Sequence, residues 1–174
     1  MTGQPLPGWG PPRSRTVSWY DPAATSNGTA GRTGLAFLQA IVDGQLPGPP
    51  IASLFDFRIV SVVEGEIVFA CTPGESAYNP IGVVHGGLVC TLLDSVGGCA
   101  VQSTLPAGVA YTSIEISVRY MRPLRADGSE ITATGRVVKS DRRVAVAEGE
   151  IRDAAGGLVA TAVTSCLVFP VAGL

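Results

Sequence analysis

The stretch Asn79-Pro80-Ile81-Gly82-Val83-Val84-His85-Gly86-Gly87 gathers most of the groups in this chain that are able to do chemistry. It contains the one histidine of the sequence and ends in a Gly-Gly pair. The apolar run that follows, Leu88 to Ala100, carries a single charge, Asp94. A helix that is apolar nearly all round belongs in a core. An aspartate inside it is costly unless it is paired, hydrogen-bonded or put to use. The first N–H groups of a helix have no internal partner and carry partial positive charge. Glycine at that point lets a ligand reach the backbone. The N–H of Gly86 or Gly87 therefore suits an acyl carbonyl oxygen, and the Asn79 amide stands close enough in sequence to add a second donor. Asp94 is suited to act as a base on water or as a nucleophile. Together these groups fit transfer of an acyl group to water. No serine elbow, metal motif or dinucleotide loop competes with this reading.

The elements that carry these groups restrict how they meet. The spacing predicts a helix from about His85 to about Thr104, closed by Pro106 and Gly108. His85 and Asp94 are nine residues apart, so at 100° per residue they point to opposite sides, about 180° apart and about 13.5 Å along the axis. One chain cannot bring both to one site across an unbroken helix. A two-fold dimer can, which predicts composite sites at an interface. Gly97-Gly98 inside the helix costs roughly 1 kcal/mol per glycine relative to alanine, a cost that close approach of another backbone would explain.

The remainder reads as strands. Phe55–Glu64 and Glu66–Thr72 flank a turn at Gly65, with a loop from Pro73 to Val84. Tyr111–Met121 alternates, placing Thr112, Ile114, Ile116, Val118 and Tyr120 on one face and Ser113, Glu115, Ser117 and Arg119 on the other. Glu130–Lys139, Val144–Arg152 and Leu158–Phe169 follow with turns between them, as in an antiparallel meander. The expected architecture is α+β, with an antiparallel sheet of about five to six strands around one central helix. Residues 1–30 read as a Pro/Gly/Ser/Thr-rich tail, Arg32–Asp43 as a short helix, and Leu46–Pro50 as a stiff linker. The expected division is an N-terminal extension over 1–45 and a main domain over 46–174.

Composition removes several classes of function. Apolar residues make up 46% and charged residues 15%, which excludes disorder for the body of the chain and suggests surface covered by another subunit. The net charge of -2 comes without a basic block, so nucleic acid is not an expected partner. No apolar run reaches a membrane span, and the start of the chain lacks a signal core. Cys71, Cys90, Cys99 and Cys166 form no CxxC pair, which points away from zinc or other metal and toward a reducing cytoplasm.

The pattern N-P-x-G-x-V-H-G-G-x(6)-D, followed by a strand bearing Thr and Ser, resembles the hotdog-fold acyl-CoA thioesterases of the phenylacetate-degradation (PaaI-like) type over about residues 50–170. The resemblance implies a sheet wrapped around the helix, with Tyr111–Met121 pairing across a homodimer that assembles further into a homotetramer. It implies hydrolysis of an acyl-CoA to free acid and CoA, without a cofactor. Asn79 and Gly86 would polarise the thioester carbonyl, His85 would hold local geometry, and the partner subunit's Asp94 would activate water or attack. Ser113, or failing it Thr112, would place a hydroxyl near that water, with Gly87 beside the substrate. Arg122, Lys139, Arg142 and Arg143 are candidates for the CoA phosphates. A hotdog dimer that binds acyl-CoA or an aromatic ligand without cleaving it is the main alternative. An enoyl-CoA hydratase is disfavoured, because it would want Asp and His together on one chain.

Overall fold

The computed structural model describes residues 8–171. The first residues of the expected tail, 1–7, lie outside the described residues. Three short helices lead into the fold: α1 (Pro22–Ser26), α2 (Gly34–Val42) and α3 (Pro50–Phe55). Each has a local reason. The Asp21 side chain accepts from Ala23 N–H at 2.9 Å to cap α1, and Thr33 accepts from Ala36 N–H at 3.3 Å to cap α2. The expected linker runs without helix or strand to Pro49, and its last residue, Pro50, starts α3 at a first-turn position that needs no N–H donor.

Strands β1 (Phe57–Val63), β2 (Glu66–Cys71), β3 (Val109–Tyr120), β4 (Ile131–Ser140), β5 (Val144–Arg152) and β6 (Leu158–Pro170) form one antiparallel sheet in the order β1-β2-β4-β5-β6-β3. The long helix α4 (Gly86–Ser103) packs across β2 to β6. Leu92, Leu93 and Val96 of α4 are fully buried against Ile67, Ile131 and Ile151 of the sheet. This is the hotdog fold: one apolar helix enclosed by a curved antiparallel sheet.

Helix and sheet sit unusually close, and glycines make that possible. A Cβ at Gly135 of β4 would overlap the backbone carbonyl of Val96. The expected reason for Gly97-Gly98 needs correcting, because side chains approach there and not a backbone. Thr164 of β6 fills the space over Gly97, and the Tyr111 ring fills that over Gly98.

The strict alternation expected along Tyr111–Met121 also fails at one residue. The β3–β6 register shifts between Ser113 and Glu115, a bulge that leaves Ile114 58% exposed. The extra residue changes the phase of the strand. Tyr111 and Ser113 before the bulge face α4, as do Ile116, Val118 and Tyr120 after it. Thr112 therefore lies on the face turned away from the helix.

Candidate active site

The loop before α4 delivers the helix start as a fixed unit. The Asn79 carboxamide oxygen accepts from Ile81 N–H at 3.1 Å and Val83 N–H at 3.2 Å. Asn79 N–H donates to the Val83 carbonyl at 2.8 Å, and His85 N–H to that of Ala77 at 2.8 Å. With its oxygen used in the loop, Asn79 has only its NH2 group left to donate outward.

His85 is the N-cap of α4. Its Nδ1 accepts from Gly87 N–H at 2.8 Å, which puts the proton of the neutral ring on Nε2. Gly87 N–H is thereby used, and Leu88 N–H bonds the His85 carbonyl at 3.0 Å. Among the described residues no acceptor is bonded to Gly86 N–H, so it is the free donor at the helix start. Packing also accounts for the paired glycines. A Cβ at Gly87 would come within 2.9 Å of His85 Nδ1, and one at Gly86 within 3.2 Å of the Tyr120 ring. Tyr120 Oη donates to the Gly86 carbonyl at 3.2 Å and steadies this turn. Its contribution was invisible in a strand pattern.

Gly86 opens into a cavity of about 420 Å³, lined also by Val89, Tyr120, Met121 and Arg122. Arg122 is held by an ion pair with Asp153 and by the Leu158 carbonyl, to which its Nε donates at 3.1 Å. Of the four basic residues singled out in the sequence, it is the one beside the helix start. Lys139 is paired with Asp141 at 2.8 Å. Arg142 and Arg143 border a different cavity, with Leu105 and Phe169, at the far end of α4. That end is about 27 Å from Gly86 along an 18-residue helix.

Asp94 opens into a third cavity, of about 550 Å³. Ser113 Oγ donates to Asp94 Oδ1 at 2.9 Å. Tyr111 and Cys99 border the same space. Burial pushes the Tyr111 hydroxyl well above its ordinary range, so it remains a neutral donor. Burial, and then the charge of Asp94, raises the Cys99 thiol to about 12, which rules out a thiolate nucleophile there. The Gly86 cavity and the Asp94 cavity share no lining residue. In this chain the Gly86 N–H and the Asp94 carboxylate thus face different spaces. Among the described residues no group of three or more His, Cys, Asp or Glu is placed to hold a metal ion.

The antiparallel sheet and its single long helix have the hotdog arrangement. The family described as the Thioesterase superfamily matches residues 81–160 of this chain. A candidate esterase of Halobacterium salinarum is 44% identical over 78 residues, covering 44% of this chain and 46% of that protein. The chain thus matches about half the length of that relative. Human acyl-coenzyme A thioesterase 13 is 29% identical over 99 residues, which covers 57% of this chain and 69% of the enzyme. Among solved structures, a phenylacetic acid degradation-related protein of Ralstonia eutropha superposes with a TM-score of 0.69 at 26% identity, covering 75% of this chain and 98% of that one. The PaaI protein of Escherichia coli, at 23% identity and a TM-score of 0.68, shares the fold over 81% of this chain and 96% of its own. No helix among the described residues is long and apolar enough to cross a membrane.

Proposed function

We propose that this chain hydrolyses acyl-CoA thioesters as a homodimer with two composite sites. One protomer supplies Gly86 N–H, with the Asn79 amide, to the thioester oxygen, and the partner's Asp94 activates the attacking water. His85 holds the helix start in shape, and Ser113 orients the Asp94 carboxylate. Arg122, beside Gly86, is the preferred contact for a CoA phosphate. Residues 46–174 form the thioesterase unit and 1–45 its extension. Dimers pair into a tetramer, in a cytoplasm that keeps the four cysteines free.

The observation that carries this reading is the separation of donor and acid into different cavities of one chain. Water attack needs both at one carbonyl carbon, and an unbroken helix holds them apart. The long edge strand β3, exposed along Thr112–Glu115, offers the pairing that would unite them across a two-fold axis.

The test is complementation between two inactive variants. Gly86→Pro removes the donor N–H at a first-turn position that accepts proline, after a residue already extended at φ -63° and ψ 135°. Asp94→Asn removes the base. Neither variant alone should release thiol from acyl-CoA. Mixed dimers should regain one good site each, about a quarter of wild-type turnover in a statistical mixture. Absence of recovery in proven mixed dimers would place each site within one chain. A wild-type protein that binds acyl-CoA and never cleaves it would mark a binding module instead.

A further inference from the structure

The space beside Asp94 is walled in large part by residues that precede the region matched by the family. Phe37, Ile41 and Val42 of α2 and Ile51 of α3 form one side, and Ile59 and Phe69 of the sheet form another. Asp94 of α4 and Tyr111 of β3 complete the lining. The volume of about 550 Å³ is within the range of small-molecule sites.

This wall is fixed to the helix that carries the acid. Gly34 N–H donates to the Leu105 carbonyl at 2.9 Å. A Cβ at Gly34 would overlap the Gln102 carbonyl, so α2 begins in direct contact with the end of α4. Leu38 and Ala40 of α2 are buried. Among the described residues, the cavity's only charged lining groups are Arg58 and Asp94, and Arg58 is paired with Glu130 at 2.8 Å. Such a space has no free cation for a second carboxylate and favours hydrocarbon.

We propose that α2 and α3 form the wall that measures the acyl group, and that the group is an uncharged hydrocarbon of medium length. Its thioester carbon lies at Asp94 and its tail lies between Phe37, Ile41 and Ile51 on one side and the sheet on the other. The volume holds roughly a dozen non-hydrogen atoms with some free space, at about 30 Å³ each. This assignment rests on the thioesterase reading above and adds the substrate class and the elements that select it.

Saturated acyl-CoA thioesters from butyryl to hexadecanoyl, assayed by thiol release, test it. For the wild type, kcat/KM should rise roughly fourfold per added methylene and then level off or fall near a dozen carbons. Ile41→Trp fills the chamber and should lower the decanoyl-to-butyryl ratio of kcat/KM at least tenfold. Phe37→Ala enlarges it and should move the break to longer chains. Ile51→Trp, at a 40% exposed position, serves if Ile41→Trp does not fold. Decanoic acid titrated calorimetrically into the same proteins should bind more weakly in the tryptophan variants. An unchanged chain-length profile and unchanged decanoate binding in folded variants would overturn the proposal while leaving hydrolysis intact. Decanoate binding that responds to the variants in a protein that cleaves no thioester would overturn the hydrolytic reading and keep the chamber.

Discussion

The bulge at Ile114 makes two neighbouring residues distinguishable by experiment. A strand of unbroken period two would put Ser113 opposite to Ile116 and Val118, away from the helix. With one residue inserted, Ser113 turns inward and its Oγ–H reaches Asp94 Oδ1 at 2.9 Å, while Thr112 turns outward. Replacing Ser113 with alanine removes that donor. A hydrogen bond to a charged acceptor is worth about 1.5–3 kcal/mol when enclosed. Both side chains are exposed in the single chain, so about 1 kcal/mol or less of stability should be lost, a Tm change of about 2–4 °C or less for a chain of this size. The larger effect should be on turnover. If Asp94 activates the attacking water as proposed, a carboxylate free to swing is no longer held there, and misplacement by about 1 Å can cost up to 100-fold. Steady-state thiol-release assays should show kcat down roughly 10- to 100-fold in Ser113→Ala with KM little changed. Ser113→Thr keeps the hydroxyl and should recover most of the loss. Thr112→Ala should stay within about twofold of wild type, since its side chain faces away. Equal losses in the two alanine variants, or none in Ser113→Ala, would refute the phase change and the orienting role together.

Two further outcomes follow from the same geometry. His85→Ala removes the cap on Gly87 N–H and should cost about 0.5–2 kcal/mol in denaturant unfolding, with His85→Asn losing less because its side chain can still accept. The alkaline limb of stability should depend in part on two thiols. Burial, with smaller contributions from Asp56 and Glu130, raises Cys71 to about 12, and burial with Asp94 does the same for Cys99. Unfolded thiols ionise near 9.0. Between those values the native chain keeps protons that the unfolded chain has lost, so this stabilisation is complete below pH 9 and fades as pH rises toward 12. Urea midpoints measured from pH 8 to 10.5 should fall, with a shallower slope in Cys71→Ala and Cys99→Ala.

Hydrophobic periodicity and turn residues determined most of this protein by themselves. The apolar run after Gly87 demanded a buried helix, and α4 occupies Gly86–Ser103. Alternation and glycine-bearing turns located all six strands to within a few residues, because burial on one face of a sheet leaves a period of two. The spacing of His85, Gly86 and Asp94 carried the separation of donor and acid, because helical rotation is a local property. Tertiary structure decided what depends on distant neighbours. No local pattern in Tyr111–Met121 marks the bulge, which shows only in the pairing of β3 with β6. Gly97 and Gly98 announced a close approach, yet only packing showed that Thr164 and Tyr111 make it. The N-terminal helices are the clearest case. A short amphipathic stretch and a proline-rich segment are individually too weak to fix a position. Their place beside Asp94 follows from docking on α4, where Gly34 meets Gln102 and Leu105 across nearly seventy residues of chain.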